Sequence, residues 1–192
     1  MPLKTDGRER FIEAIGPQAR QIVPFLEGVV KGLRLSRSAR VLDVGTGTGM
    51  MAGVLALQGF NVTTGEPEGD NWADWQANTS VTSMQDSITF TPFRADGMPF
   101  DDGSFDAIFV YGSLHHVSDP VLVMKEFYRC IDKAHGVICI IEPNDVGLEH
   151  IRVEKPDHPD GIDPRALTEE VDLSCKVQKG NLFDAYVFKI HK

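Results

Sequence analysis

RVLDVGTGTGMM, residues 40–51, is the stretch whose reading decides the fold. Val41, Leu42 and Val44 form a short apolar run of strand-forming residues, which stops at the glycine-spaced loop Gly45, Thr46, Gly47, Thr48, Gly49. Beyond it Met50, Met51, Ala52, Val54, Leu55, Ala56 and Leu57 are mostly good helix formers. A buried strand therefore turns sharply into a helix whose first N–H groups have no intrahelical partner. Glycine suits such a turn because it takes backbone angles that a Cβ disfavours and lets a ligand approach the main chain. The spacing is GxGxG, with Met50 where the dinucleotide fingerprint has its third glycine, and no Gly-Lys-Ser/Thr follows as in a Walker loop. Asp43 stands inside the apolar strand, where desolvating a carboxylate is costly without a partner. A cationic, unphosphorylated ligand suits it.

The rest of the chain places itself around this turn. Apolar residues recur at helical spacing over 8–15 and 18–33, on either side of Gly16-Pro17, and Pro24 should cost the second helix a hydrogen bond. This pair either packs on the sheet edge or acts as a lid. Residues 60–65 predict a second strand ending at Glu66, and 70–76 predict a helix with Trp72 and Trp75 on one face, packed on the sheet. Strands follow at 87–93, 105–111 and 135–141, with a helix over 121–131 that starts after Ser118 or Asp119 with Pro120 in its first turn. Residues 145–164 are polar and predict a mobile acidic loop. Its His150, Asp157, His158, Asp160 and Asp163 fit no established ligand spacing, so no metal site is expected. The pattern ends with a helix over 165–171 and a hairpin of strands at 173–178 and 182–190.

Composition limits the function. With 192 residues, 42% hydrophobic and 24% charged, the chain falls in the ordinary globular class and is about the size of one domain. A net charge of −9 argues against a nucleic-acid partner, which is usually gripped by clustered Lys and Arg. No apolar run approaches about 18 residues and no cleavable leader is evident, so no membrane association and a cytoplasmic location are expected. Cys130, Cys139 and Cys175 are odd in number and widely spaced, which favours free thiols.

VLDVGTGTG, together with FDAIFV, SLHHV, Asp119-Pro120 and Glu142-Pro143-Asn144 in the stretch 93–143, resembles the class I S-adenosylmethionine-dependent methyltransferases. The match is to the small-molecule methyltransferases of the type 11 domain family and covers about 41–143. The resemblance implies a doubly wound, Rossmann-like α/β domain with a mainly parallel sheet of about seven strands and an antiparallel C-terminal hairpin strand. In that single domain 1–36 would form a helical cap, 37–143 the cofactor-binding core, 144–164 a loop and 165–192 the C-terminal helix and hairpin. S-adenosylmethionine would rest its methionine part on Gly45, Gly47 and Gly49, with Asp43 and Thr46 also among its contacts. Glu66 would accept from the ribose hydroxyls, and Pro67 would lie flat on the adenine. Asp96 would accept from the adenine amine, the next backbone N–H, that of Gly97, would donate to the ring, and Met98 would lie beside them.

Tyr111, His115 and His116 fall at or just past the carboxyl end of a central strand, where open α/β sheets hold reacting groups. They are the catalytic candidates, Tyr111 also lining the cofactor. Histidine can take a proton near neutral pH, although in the resembled family such a pair often packs beside the cofactor instead. Rate would come mainly from in-line positioning. The Asn-Pro-Pro-aromatic motif of enzymes acting on nucleobases or glutamine amides is replaced by Tyr111-Gly112-Ser113-Leu114, so a small-molecule methyl acceptor is expected. The protein would act as a monomer or homodimer. Two alternatives stand beside this one: a non-catalytic cofactor-binding or regulatory protein that works with a partner, and a nicotinamide oxidoreductase, which Met50 and Asp43 disfavour.

Overall fold

The computed structural model describes residues 3–69 and 74–191, in two compact units that divide after Phe93. In the first, helices α1 (Leu3–Ile15) and α2 (Ala19–Leu33) precede strand β1 (Val41–Val44), α3 (Met50–Leu57), β2 (Val62–Gly65), α4 (Trp75–Ser80) and β3 (Ile88–Phe90). The three strands are parallel, with Asp43 opposite Thr64 and Val44 opposite Gly65. Helices α1 and α2 pack on α3 and α4, and Phe11, Val23 and Leu26 are fully buried there. Pro24 is carried inside α2. Pro17 lies in the turn before that helix.

The second unit contains β4 (Ala107–Tyr111), a 3-10 turn at Leu114–His116, α5 (Pro120–Cys130), β5 (Val137–Pro143), α6 (Asp145–Glu154), β6 (Leu173–Gln178) and β7 (Phe183–Ile190). Strands β4 and β5 are parallel; β7 runs antiparallel to both β5 and β6. All seven residues of β5 are buried, as expected of a parallel strand covered on both faces. Asp119 caps α5 by accepting from Leu122 N–H at 2.9 Å, with Pro120 in the first turn. The sheet has seven strands in the order β3-β2-β1-β4-β5-β7-β6, the doubly wound arrangement with a C-terminal hairpin that the resemblance implied. Cys130, Cys139 and Cys175 are free thiols. Among the described residues no helix is long and apolar enough to cross a membrane.

Several local expectations are corrected. The stretch 145–164 is not all loop: α6 occupies its first half, capped by Asn144, whose side chain accepts from Gly147 N–H at 3.0 Å. Its apolar pattern is obscured because Val146 and Val153 face solvent while Leu148 is buried. The helix foreseen at 165–171 is only a 3-10 turn, Pro164–Leu167. The one foreseen at 70–76 begins at Trp75, after its Asp74 cap, and Trp72 lies outside the described residues. Trp75 is buried with its ring stacked on Phe90. The third strand is shortened to Ile88–Phe90: a 3-10 turn takes Ser87, and the strand stops before Thr91-Pro92, where proline has no N–H to donate.

Gly65 ends β2 in a space that admits no side chain. A Cβ there would sit 1.9 Å from the Thr91 carbonyl oxygen and 2.4 Å from the Phe93 ring. Because the first obstacle is backbone, relief requires the chain at 91–93 to move. Gly65→Ala is expected to destabilise the protein by about 3 kcal/mol in urea unfolding, at the upper end of overpacking costs. A loss below about 0.5 kcal/mol would mean that this segment shifts freely.

Candidate functional site

In the first unit the glycine loop leaves β1 with Gly45, Gly47 and Gly49 all at positive φ. Its position is set by hydrogen bonds to the neighbouring strand. Gly45 N–H donates to the Gly65 carbonyl at 2.9 Å. Gly47 N–H donates to the Glu66 carboxylate at 2.9 Å, so Glu66 joins the loop that the sequence placed near it. A Cβ built on Gly47 would meet only the Gly45 carbonyl, at 4.0 Å, so the main chain there is open to approach.

Beneath the loop is a buried polar chain. Thr64 Oγ1 donates to Asp43 Oδ2 at 2.8 Å, and Thr46 Oγ1, 2.9 Å from Thr64 Oγ1, supplies the hydrogen that Thr64 has already spent. Asp43, Thr46 and Thr64 are all buried, and Asp43 Oδ1 has no hydrogen-bond partner among the described residues. Burial, opposed by the Thr64 hydrogen bond and aided by the nearby Glu66 charge, pushes the Asp43 carboxyl up to about 7. Thr64 was not foreseen as a site residue. The need for some partner to Asp43 was legible; the cross-strand register that selects Thr64 was not.

In the second unit, Asp96, Gly97 and Met98 lie in a turn that satisfies its own groups. Arg94 grips both oxygens of half-buried Asp96, at 3.0 and 2.6 Å, and holds that carboxyl below its ordinary range. Gly97 N–H donates to the Arg94 carbonyl and Met98 N–H to Glu126, so neither N–H is spare. Arg129 ties the same segment down through the carbonyls of Met98 and Phe100.

Tyr111, His115 and His116 follow at the end of β4. Tyr111 packs against Phe183, with ring centroids 5.0 Å apart, and burial beside the Glu142 charge keeps its phenol protonated. The His115 side chain is buried at 2% exposure, with its Nδ1 hydrogen-bonded to Glu142 Oε2. The other Glu142 oxygen accepts from Leu114 N–H at 3.0 Å, so both oxygens of this buried carboxylate are used. His116 is exposed by area, yet enough protein crowds its ring that desolvation, followed by His115, His158 and Lys155, pushes it down to about 4. His158 was not foreseen as a site residue; its ring centroid lies 5.0 Å from that of His115 and 5.1 Å from that of His116.

The family model described as a methyltransferase domain matches residues 42–140, from the middle of β1 into β5. That is just over half of the chain. The chain belongs to this family. A ubiquinone/menaquinone biosynthesis C-methyltransferase, UbiE, from Citrifermentans bemidjiense is 33% identical over 118 residues, covering 59% of this chain and 49% of the relative. The chain thus spans about half the length of the curated relatives it matches. Among solved structures, the YcgJ protein of Bacillus subtilis superposes with a TM-score of 0.67 at 15% identity, covering 87% of this chain and 98% of that one. A SAM-dependent methyltransferase from Aquifex aeolicus superposes at 0.63 with 19% identity, covering 86% and 89%. At such identities the superpositions establish the fold alone. Within the family match lie the glycine loop, Glu66, the Asp96 turn, Tyr111, His115 and His116; Glu142 and His158 lie beyond it.

The raised Asp43 carboxyl has a consequence for stability. Below about pH 4 it is protonated whether folded or unfolded. As pH rises from about 4 to about 7 the unfolded chain loses this proton while the folded one keeps it, so stability falls; above about 7 the cost is constant. Asp43→Asn keeps an acceptor for Thr64 and removes the titration. The difference in stability, variant minus parent, is expected to grow by on the order of 2–4 kcal/mol between pH 4 and pH 7.5 in thermal or urea unfolding. A difference independent of pH would show that Asp43 ionises normally in the fold.

Proposed function

We propose that this chain binds S-adenosylmethionine and transfers its methyl group to a small-molecule acceptor. The observation that carries the reading is the fully buried Asp43 carboxylate, which has one unpartnered oxygen two residues before an open glycine loop inside the family match. A ligand with positive charge would complete that oxygen and favour the ionised carboxylate. Glu66 fits the same ligand: one oxygen is spent on Gly47 N–H, leaving the other to accept from a ribose hydroxyl. Residues and group are therefore compatible. When bound, S-adenosylmethionine supplies a methyl already activated on a sulfonium, so that alignment can provide much of the rate.

The chain's own residues then bind, orient and exclude water. Gly45, Gly47 and Gly49 allow close approach of the methionine part; Thr46 and Thr64 hold Asp43 in place. Pro67, Asp96, Gly97 and Met98 are proposed on the family resemblance for the adenine side; a ligand there must draw Asp96 from Arg94 or bind the pair as it stands. Tyr111, His115 and His116 orient the acceptor, Tyr111 as a hydrogen-bond donor because its phenol stays protonated. A small acceptor is supported by the net charge of −9 and by the similarity to a quinone-pathway methyltransferase.

Calorimetric titration with S-adenosylmethionine and S-adenosylhomocysteine, with NAD as control, tests the reading. Micromolar binding of the first two, on the order of −8 kcal/mol, and none of NAD is the expected result. Glu66→Ala should weaken it by about 1–3 kcal/mol through lost ribose hydrogen bonds. Near pH 7 binding should also release about half a proton as Asp43 ionises, seen as a dependence of the apparent enthalpy on the buffer. A folded sample that binds neither compound would end the methyltransferase reading.

A further inference from the structure

Three imidazoles from two segments of the second unit converge at one point. His115 and His116 sit on the 3-10 turn after β4, and His158 comes from the segment after α6. One ring nitrogen from each lies within 4.8 Å of the others. The tautomers follow from the outer partners. His115 Nδ1 faces a carboxylate oxygen of Glu142, and His158 Nδ1 faces the Pro159 carbonyl at 3.1 Å; both partners only accept, so both Nδ1 atoms carry hydrogen. In the neutral rings each Nε2 is then a bare lone pair. Yet these two Nε2 atoms lie 3.4 Å apart and face each other. Two lone pairs at that separation repel unless a cation stands between them.

A shared proton would satisfy two nitrogens. A metal ion would satisfy three, and the distances fit one: two imidazole ligands on a tetrahedral ion with bonds of about 2.0–2.1 Å are about 3.3–3.4 Å apart. Exposed His116 needs an approach of only about 1.5 Å to reach the same spacing, given tetrahedral geometry. The outer hydrogen bonds are those that metal-bound histidines make, to a carboxylate and to a backbone carbonyl, and they orient the rings and raise ligand basicity. The segment carrying His158 is also held: Arg152 donates twice to the His158 carbonyl, at 3.1 and 3.0 Å, and pairs with Asp160. His158 N–H donates to the Lys155 carbonyl at 3.0 Å.

We propose that His115, His116 and His158 form a site for one divalent transition-metal ion of the zinc type, with Glu142 and the Pro159 carbonyl fixing the outer nitrogens. An all-imidazole set with no oxygen ligand disfavours calcium and magnesium and suits zinc, cobalt or nickel. Three protein ligands leave a fourth position for water or for a hydroxyl or carbonyl oxygen of an acceptor. Binding of the ion stands on the geometry alone; presentation of an acceptor oxygen to it rests on the methyl-transfer reading. Linear sequence hid the set because His158 is 42 residues beyond His116 and surrounded by acids.

The test uses the full chain without a polyhistidine tag, stripped with chelator and titrated with Co2+ in the absence of S-adenosylmethionine, so that failure of cofactor binding has no bearing on it. The expected result is one Co2+ per chain with the intense visible bands of a tetrahedral site, displaced by Zn2+. His158→Ala, on an exposed segment, should bind at least 100-fold more weakly while its circular dichroism and metal-free melting temperature match the parent. Glu142→Gln should weaken binding about 10- to 100-fold, the usual cost of losing an outer carboxylate. No saturable binding by the parent at millimolar Co2+, or equal affinity in His158→Ala, would overturn the site and leave a proton shared between His115 and His158.

Discussion

Burying the Asp43 carboxylate inside an all-apolar strand is the constraint on which the first unit depends. Its solution is local and directional: Thr64 on the adjacent strand donates to one oxygen, and Thr46 in the glycine loop backs up Thr64. The chain of hydroxyls fixes the register of β1 on β2 and the path of the loop at the same time. A one-residue slip would turn Thr64 to the other face of the sheet, away from the carboxylate. Gly65 continues the same design, because the strand end can close on Thr91 and Phe93 only if it carries no side chain. Glu66, the next residue, is thereby delivered to Gly47 N–H.

The second unit meets a similar demand differently. Glu142 ends β5 at 1% exposure, and its two oxygens are occupied by the Leu114 N–H and the His115 ring. Among the described residues Asp43 is left with an unused acceptor, whereas both oxygens of Glu142 are engaged. The first carboxylate therefore has capacity for a ligand, and the second orients a side chain. Elsewhere in this unit Arg129 shows how one cation can organise a turn: beyond its ion pairs with Glu126 and Asp102, it caps two main-chain carbonyls. The pair with Asp102 is exposed and contributes little, so its hold on the turn lies in those carbonyls and in half-buried Glu126.

Legibility in the sequence followed the strength of local patterning. Strands β1, β4 and β5 were readable because they are continuous apolar runs, and α5 because Asp119-Pro120 announces its start. The glycine loop and Glu66 were readable because backbone angle and strand-end position demand particular residues. Helix α6 was missed because two of its valines face solvent and erase the periodicity. Thr64, Glu142 and His158 were not read as candidate site residues for a common reason: each meets a partner far away along the chain.

By itself, then, the sequence determined the class of fold, the position of the glycine turn and the need for a partner to Asp43, since each follows from propensity, desolvation and backbone angle within a few residues. Only the tertiary structure decided which groups answer those needs. Strand register chose Thr64 for Asp43, the packing of β5 beside the 3-10 turn chose Glu142 for His115, and the return of the chain after α6 brought His158 to the other two imidazoles. Hydrogen bonds act over about 3 Å in space. The distance along the chain between the groups they join has no bearing on that reach.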